Sequence, residues 1–290
     1  MAMKLGMCNM SVAGQFYPAT AEELHRKIEK IIAAIRSERN IDRKPVRALI
    51  LPHAGYDYSA MTAIKGLMSV KTELIKRVVL MAPSHRYGFS GAAYAGFDSF
   101  ETPLRPVRCD IEGIAKLAAA KDRHFLDLPK VFSGEHALEV QLPLLQYFLG
   151  DFEMIPLIIG QNTSLVNSAV SQALKQFWLP DTLWVVSSDF THFGRSFGYL
   201  PFQENISEQL RRLDLEAIDK ILALDAEGFA EYIRDTGATI CGHCPIEIML
   251  RVAEAVTPEL IDYANTGEMF NDFSHSVSYA SIAFVEKGEA

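Results

Sequence analysis

Residues 76–86 read KRVVLMAPSHR, an unbroken apolar run that stops at Pro83 and is followed at once by Ser84 and His85. A run this short, closed by proline, predicts a strand buried on both faces, as in a parallel sheet covered by helices. Residues 46–56, VRALILPHAGY, repeat the design and end in Pro52-His53. Residues 182–194, TLWVVSSDFTHFG, deliver Asp189 and His192 after a third run, and FEMIPLIIG (152–160) forms a fourth. Helical periods alternate with these strands. Residues 18–40 are amphipathic and open with a capping box, Thr20 with Glu23 three residues on. HALEVQLPLLQYFL has Pro143 either kinking a helix or marking its true start. SEQLRRLDLEAIDKILAL is another helix, and a last one is expected from Pro245, with Cys244 near its N-cap. YGFSGAAYAGFDSFETPL reads as a hairpin or loop, while ELIDYANT and SVSYASIAFVE read as closing strands. The pattern predicts a single α/β domain over 1–290, a mostly parallel or mixed sheet flanked by helices.

Bulk properties narrow the function classes. With 49% hydrophobic and 22% charged residues among 290, a sizeable core is expected and disorder is not. A formal net charge of −8 argues against a nucleic-acid or anionic-membrane surface. The opening MAMKLGMCNM lacks the apolar run of a leader, and no stretch approaches the ~18 apolar residues of a spanning helix. Cys8, Cys109, Cys241 and Cys244 are too few and scattered for a disulfide scaffold, so a reducing cytoplasm is the expected location.

Three similar strands each place a reactive side chain just past their carboxyl end: His53, His85 and the Asp189/His192 pair. In open α/β sheets the ligand crevice lies outside those ends, so the imidazoles should meet in one cleft. Two imidazoles with an anionic third ligand and open positions suit a divalent transition metal. Asp189, Glu135, Glu247, Cys241 and Cys244 are candidates for that third place. His192 suits a base better than a ligand, with Asp189 orienting its ring from three residues away. Glu135, His136, Glu139 and Gln141 of GEHALEVQ are candidate cleft residues, His136 the one expected to point inward. Tyr56 and Arg86 are candidate lining residues as well, Arg86 as a partner for an anion. His25, His124 and His275 read as surface or structural, and His243 as a solvent-facing turn residue.

Cys241-Gly242-His243-Cys244 spells a redox dithiol, but Ile240 precedes it where a thioredoxin-type site has an aromatic. A zinc knuckle would need a second ligand pair, and the sequence has none. GRSFG (194–198) spells a nucleophile elbow, yet Ser188 to Phe193 separate it from the preceding apolar run and YLPF follows it, so Ser196 is a chance match.

Seven stretches in order, VAGQFYPA, LPHAGYDYSA, APSHRYGFSG, SGEHALEVQLPLLQ, SSDFTHFG, TICGHCPI and SYASIAF, resemble the Memo family, the mediator of cell motility proteins. That family is similar in fold to the class III extradiol ring-cleaving dioxygenases. The resemblance implies that His53 and His85 are metal ligands, and that Cys241 replaces the dioxygenases' glutamate as the third. It implies His192 in the place of the catalytic histidine, with Asp189 beside it. Cys244 lies where the family requires no cysteine. The implied function is a metal-dependent oxidoreductase, with Fe(II) first and copper or zinc as alternatives. The alternative is a non-catalytic module whose cleft holds a metal or a (phospho)peptide. The implied partner is a small molecule or a peptide, with no nucleic acid and no membrane.

Overall fold

All four apolar runs are strands: Val46–Leu51, Arg77–Pro83, Glu153–Ile159 and Thr182–Ser187. They lie parallel and adjacent in the order 153–159, 77–83, 182–187, 46–51. Val78 to Ala82 and Leu183 to Val186 are buried without exception, because both faces of the sheet are covered; that is why the runs show no alternation. The computed structural model describes residues 6–38, 40–120 and 122–288. The expected absence of a leader falls partly on residues 1–5, which lie outside the described residues, as do 39, 121, 289 and 290.

Among the described residues the sheet has twelve strands. Beyond Val46–Leu51 the sheet turns antiparallel: His275–Glu286 pairs with it, and Val256–Asn265 pairs with His275–Glu286. These are the expected closing strands. YGFSGAAYAGFDSFETPL is not a hairpin. Ala92–Tyr94 pairs with Glu153–Ile159 and Phe125–Asp127, whereas Ser99–Phe100 pairs with Met7–Cys8 and Val107–Cys109. Residues 95–98 are short enough for a hairpin loop, but the two strands they join pair with different partners and not with each other.

The first helix, Ala21–Glu38, buries Leu24, Ile28, Ile32 and Ile35, a stripe at helical spacing. Its start is capped as expected: the Glu23 N–H donates to Thr20 Oγ1 (3.3 Å), whose hydroxyl donates to the Glu23 carboxylate (2.9 Å). Pro143 sits in the first turn of Gln141–Leu149, where its missing N–H had no acceptor to lose. The last expected helix begins earlier than Pro245. It runs His243–Val252 with Gly242 as N-cap, so Cys244 is a buried residue of its first turn and not a cap. One hydrophobic core joins these elements. No helix among the described residues is long and apolar enough to cross a membrane.

Candidate metal centre

The register aligns the strands: Leu51 pairs with Ser187 and Pro83 with Ile159, so their carboxyl ends finish level. His53, His85 and Asp189 therefore leave the sheet at one edge. His192 reaches the same edge because the short strand His192–Gly194 pairs with Val277, Ser276 and His275. His136 comes from a different element, as the first residue of the helical turn His136–Glu139, N-capped by Glu135, and its ring lies 5.4 Å from that of His53 and 4.7 Å from that of His85. One donor nitrogen from each of His53, His85 and His136 lies within 4.8 Å of the others. This group can hold a metal ion.

Hydrogen-bond counting fixes which nitrogens face inward. The Ser187 hydroxyl has one proton and donates it to the Ala137 carbonyl (2.5 Å). It also receives Gln141 Nε2 (2.8 Å), whose identity as nitrogen follows from its contact with the Pro52 carbonyl (2.9 Å). With its proton spent, Ser187 Oγ must accept from His53 Nδ1 at 2.9 Å. His53 is thus the Nδ1–H tautomer, and its lone pair, the donor a metal would take, is on Nε2. The Glu135 carboxylate does the same for His85, accepting from Nδ1 and from the backbone N–H, each at 2.8 Å. His192 Nδ1 faces two carbonyls, Phe190 at 3.0 Å and Thr239 at 3.2 Å, so it carries the proton and leaves Nε2 bare. Such outer partners orient a ligating or proton-accepting imidazole.

The electrostatics agree with that donor set. Burial, and then the neighbouring His85, His136 and His192, hold the His53 imidazole well below its ordinary pKa. Burial, and then His85, lower His136 to about 4. Both rings are neutral near pH 7, as ligands must be. Glu135 is buried, which would raise its carboxyl, but the hydrogen bonds from His85 and Ala137 outweigh this and lower it.

Cys241 Sγ lies 3.2 Å from His53 Nε2 and accepts the Asp189 N–H at 3.3 Å. Burial, and then Asp189, push its thiol above the ordinary range, so the metal-free side chain is a neutral thiol donating to Nε2. Gly242 permits this approach. A Cβ there would stand 2.4 Å from Ser188 Cβ and 2.9 Å from the Ser187 carbonyl oxygen, although its φ of −92° suits any residue. Gly242→Ala should therefore push the Cys241 turn off the strand end and cost about 1–3 kcal/mol in a denaturant melt. An unchanged midpoint would show that the turn yields freely.

The other expected residues divide. Asp189 does not orient His192. Its Oδ1 accepts the backbone N–H of His53 (2.8 Å) and Ala54 (3.3 Å), so it fixes the His53 turn instead. Burial raises its carboxyl, against the charge of His192 and those two bonds. Tyr56 points into the core, donating to the Val140 carbonyl at 2.8 Å, and does not line the cleft. The Arg86 guanidinium lies over Gly134 and is outside the cavity lining. Cys244 faces away: it accepts the Asn162 N–H at 3.4 Å, past the Glu153–Ile159 strand. Cys241 is bonded past Thr182–Ser187, and Arg77–Pro83 lies between those strands. The two thiols are free and each accepts a different backbone N–H. Glu247 binds Asn167 and Arg251, Gln141 supports Ser187, and Glu139 accepts from Ser11, Val12 and Tyr17. His243 is half-buried in the first helical turn, its Nδ1 on the Ile240 carbonyl.

A cavity of about 470 Å³ adjoins the cluster through His136, and Asp189 and His192 also line it. Its walls include Phe16, Tyr58 and Tyr279, which lie in three of the seven stretches without having been singled out as site residues, and Phe270, which lies in none of them. His275, expected at the surface, is exposed but belongs to this wall; its Nδ1 lies 2.6 Å from Ser196 Oγ. Ser196 itself sits in a 3-10 turn closed by left-handed Gly198, with no helix behind it, unlike a nucleophile elbow.

A family model described as Memo-like protein matches residues 8–283. The chain belongs to the Memo family. It is 30% identical to a MEMO1 family protein of Thermoplasma volcanium, over 94% of this chain and 96% of that one. It is 28% identical to Protein MEMO1 of Homo sapiens, over 94% and 95% respectively. Among solved structures, an uncharacterized protein of Escherichia coli K12 covers 81% of this chain and 99% of its own, at 14% identity and a TM-score of 0.46. In this Memo chain the centre draws on four of the seven stretches that carried the resemblance: those with His53, His85, His136 and Cys241.

Proposed function

We propose that this Memo protein is a metal-dependent oxidoreductase whose centre is held by His53, His85 and Cys241, with Fe(II) first and copper or zinc as alternatives. The observation that carries it is the convergence of imidazole nitrogens and a thiol beside an open cavity, with a further bare nitrogen on His192. A bound divalent metal would supply Lewis acidity and, for iron or copper, redox chemistry. His53 and His85 bind through Nε2, oriented by Ser187 and Glu135. Cys241 gives up its thiol proton on binding, as a thiolate ligand must. His192 accepts a proton from a substrate hydroxyl at its Nε2, and Asp189 secures the turn that carries His53.

A second reading rests on His136. If it joins the other three donors, the set is four-coordinate and closed, as in a structural or storage site; three donors leave an open position. Nitric oxide separates the two. Fe(II)-loaded protein should give the half-integer-spin EPR signal of an iron–nitrosyl, because an open position is needed to bind it. His136→Ala should leave metal content and that signal in place. If wild type gives no signal and His136→Ala gains one, the centre is closed and the oxidoreductase assignment fails.

A further inference from the structure

We propose that Thr239 is a positioning residue: its hydroxyl and its carbonyl together hold His192 as the Nδ1–H tautomer, with the ring's lone pair on Nε2. The proposal rests on the reading of His192 as the proton acceptor. It deepens that reading by naming what sets the residue's place and protonation.

The need for such a residue follows from the sheet. Among the described residues, His192–Gly194 ends the strand order and has one strand partner, His275–Glu286. His192 lies opposite Val277, and the Ser278 N–H donates to the Thr191 carbonyl at 3.0 Å. Successive residues of an antiparallel strand send their N–H and C=O to alternate sides, so those of His192 point away from the sheet. Gly194, two residues on, turns outward in the same way, its N–H donating to the Tyr199 carbonyl at 2.9 Å. At an edge, groups that face outward have no ladder partner. Thr239 takes both of those on His192. Its hydroxyl accepts the His192 N–H at 2.8 Å and donates to the His192 carbonyl at 2.8 Å. One side chain does here what a further strand would do.

The ring makes the third contact. Its Nδ1 meets the Thr239 carbonyl at 3.2 Å, beside the Phe190 carbonyl at 3.0 Å. A histidine side chain in water favours the Nε2–H form, in which Nε2 is a donor and cannot take a proton. The Nδ1–H form therefore needs acceptors fixed beside Nδ1. Phe190 belongs to the same turn as His192 and moves with it, whereas Thr239 comes from 47 residues away and can hold the turn still. The segment that carries Thr239 is itself tied down further along. Cys241 Sγ accepts the Asp189 N–H at 3.3 Å, and the Gly242 N–H donates to Ser188 Oγ at 3.0 Å. Residues 239–242 thus run antiparallel beside residues 188–192, and the loop that carries the thiol also holds the base.

The test is nitrogen-15 NMR of the metal-free full chain labelled at histidine, at about pH 8.5, above the ordinary imidazole range. The His192 ring signals are assigned by their loss in His192→Ala, and wild type should show the Nδ1–H pattern. Thr239→Val keeps the shape of the side chain and removes its hydroxyl. The Nε2–H form of His192 should then become the major one, and the His192 backbone amide should exchange with solvent roughly tenfold faster, as loss of one hydrogen bond implies. Thr239→Ser should restore both. Circular dichroism checks the fold, and if Thr239→Val folds poorly, Thr239→Ala is read in the same way. A ring that stays Nδ1–H in a folded variant without the hydroxyl would overturn the proposal even if the melting temperature fell, because Thr239 would then only stabilise its loop. An Nε2–H ring in wild type would overturn it as well. The proton-acceptor reading stands or falls separately, on the turnover of His192→Ala.

Discussion

His53→Ala folds but loses its metal: that is the expected result, with affinity down a hundredfold or more. Removing an outer-shell partner of a metal ligand costs about 10–100-fold, so deleting a ligand should cost at least that. The fold should survive because the neighbours stay satisfied. Ser187 keeps its bonds to the Ala137 carbonyl and Gln141, and Asp189 keeps the two backbone N–H groups of the turn. His85→Ala should behave alike, since Glu135 retains the N–H groups of residues 85 and 137. Cys241→Ser should weaken metal binding less than either, because a hydroxyl is a poorer anionic ligand but fills the same space. Cys244→Ser should leave metal content unchanged, since that thiol faces Asn162. Metal analysis after anaerobic reconstitution checks all four, and full occupancy in the His53→Ala, His85→Ala double variant would refute the centre.

His192→Ala is expected to keep its metal and lose turnover by roughly a hundredfold or more, the usual contribution of a positioned acid–base group. The ring is held at Nδ1 by two carbonyls, which permits no other role for that nitrogen, and His192 lines the cavity. It is not one of the three imidazoles whose donors converge within 4.8 Å. Oxygen uptake by Fe(II)-loaded protein with a vicinal aromatic diol, measured beside iron content, distinguishes the roles. Loss of iron would make His192 a ligand. Retained uptake in His192→Phe would reduce it to packing.

Much of the sheet was legible because its central strands are buried on both faces, and burial writes itself as an unbroken apolar run. The histidines were legible for a related reason. A polar residue just past such a run has only the sheet's carboxyl edge to occupy, and three runs repeat the device. The helix that starts at His243 was misplaced because its N-cap is Gly242, chosen for close approach to Ser188, and a glycine in a turn leaves no capping signature. The supposed Asp189–His192 pair failed for a geometric reason: spacing of three in a loop does not say which way the backbone turns. Here it turns so that carbonyls, not the carboxylate, meet the His192 ring.

The sequence by itself determined the α/β sheet and the edge at which His53 and His85 gather, and it marked His136 as the residue of its stretch that turns inward to meet them. Strand order was left to the tertiary structure, and with it the different partners of Cys241, which accepts the Asp189 N–H, and Cys244, which accepts the Asn162 N–H. Tertiary structure also decided the protonation pattern. Ser187 comes from one stretch and Glu135, Ala137 and Gln141 from another, and only their meeting in space commits each proton. The aromatic wall assembles from residues 16, 58, 197, 270 and 279, which five separate segments contribute. Local patterns record what a residue's own segment must bury, whereas a pocket is made of side chains that different segments leave uncovered at one place.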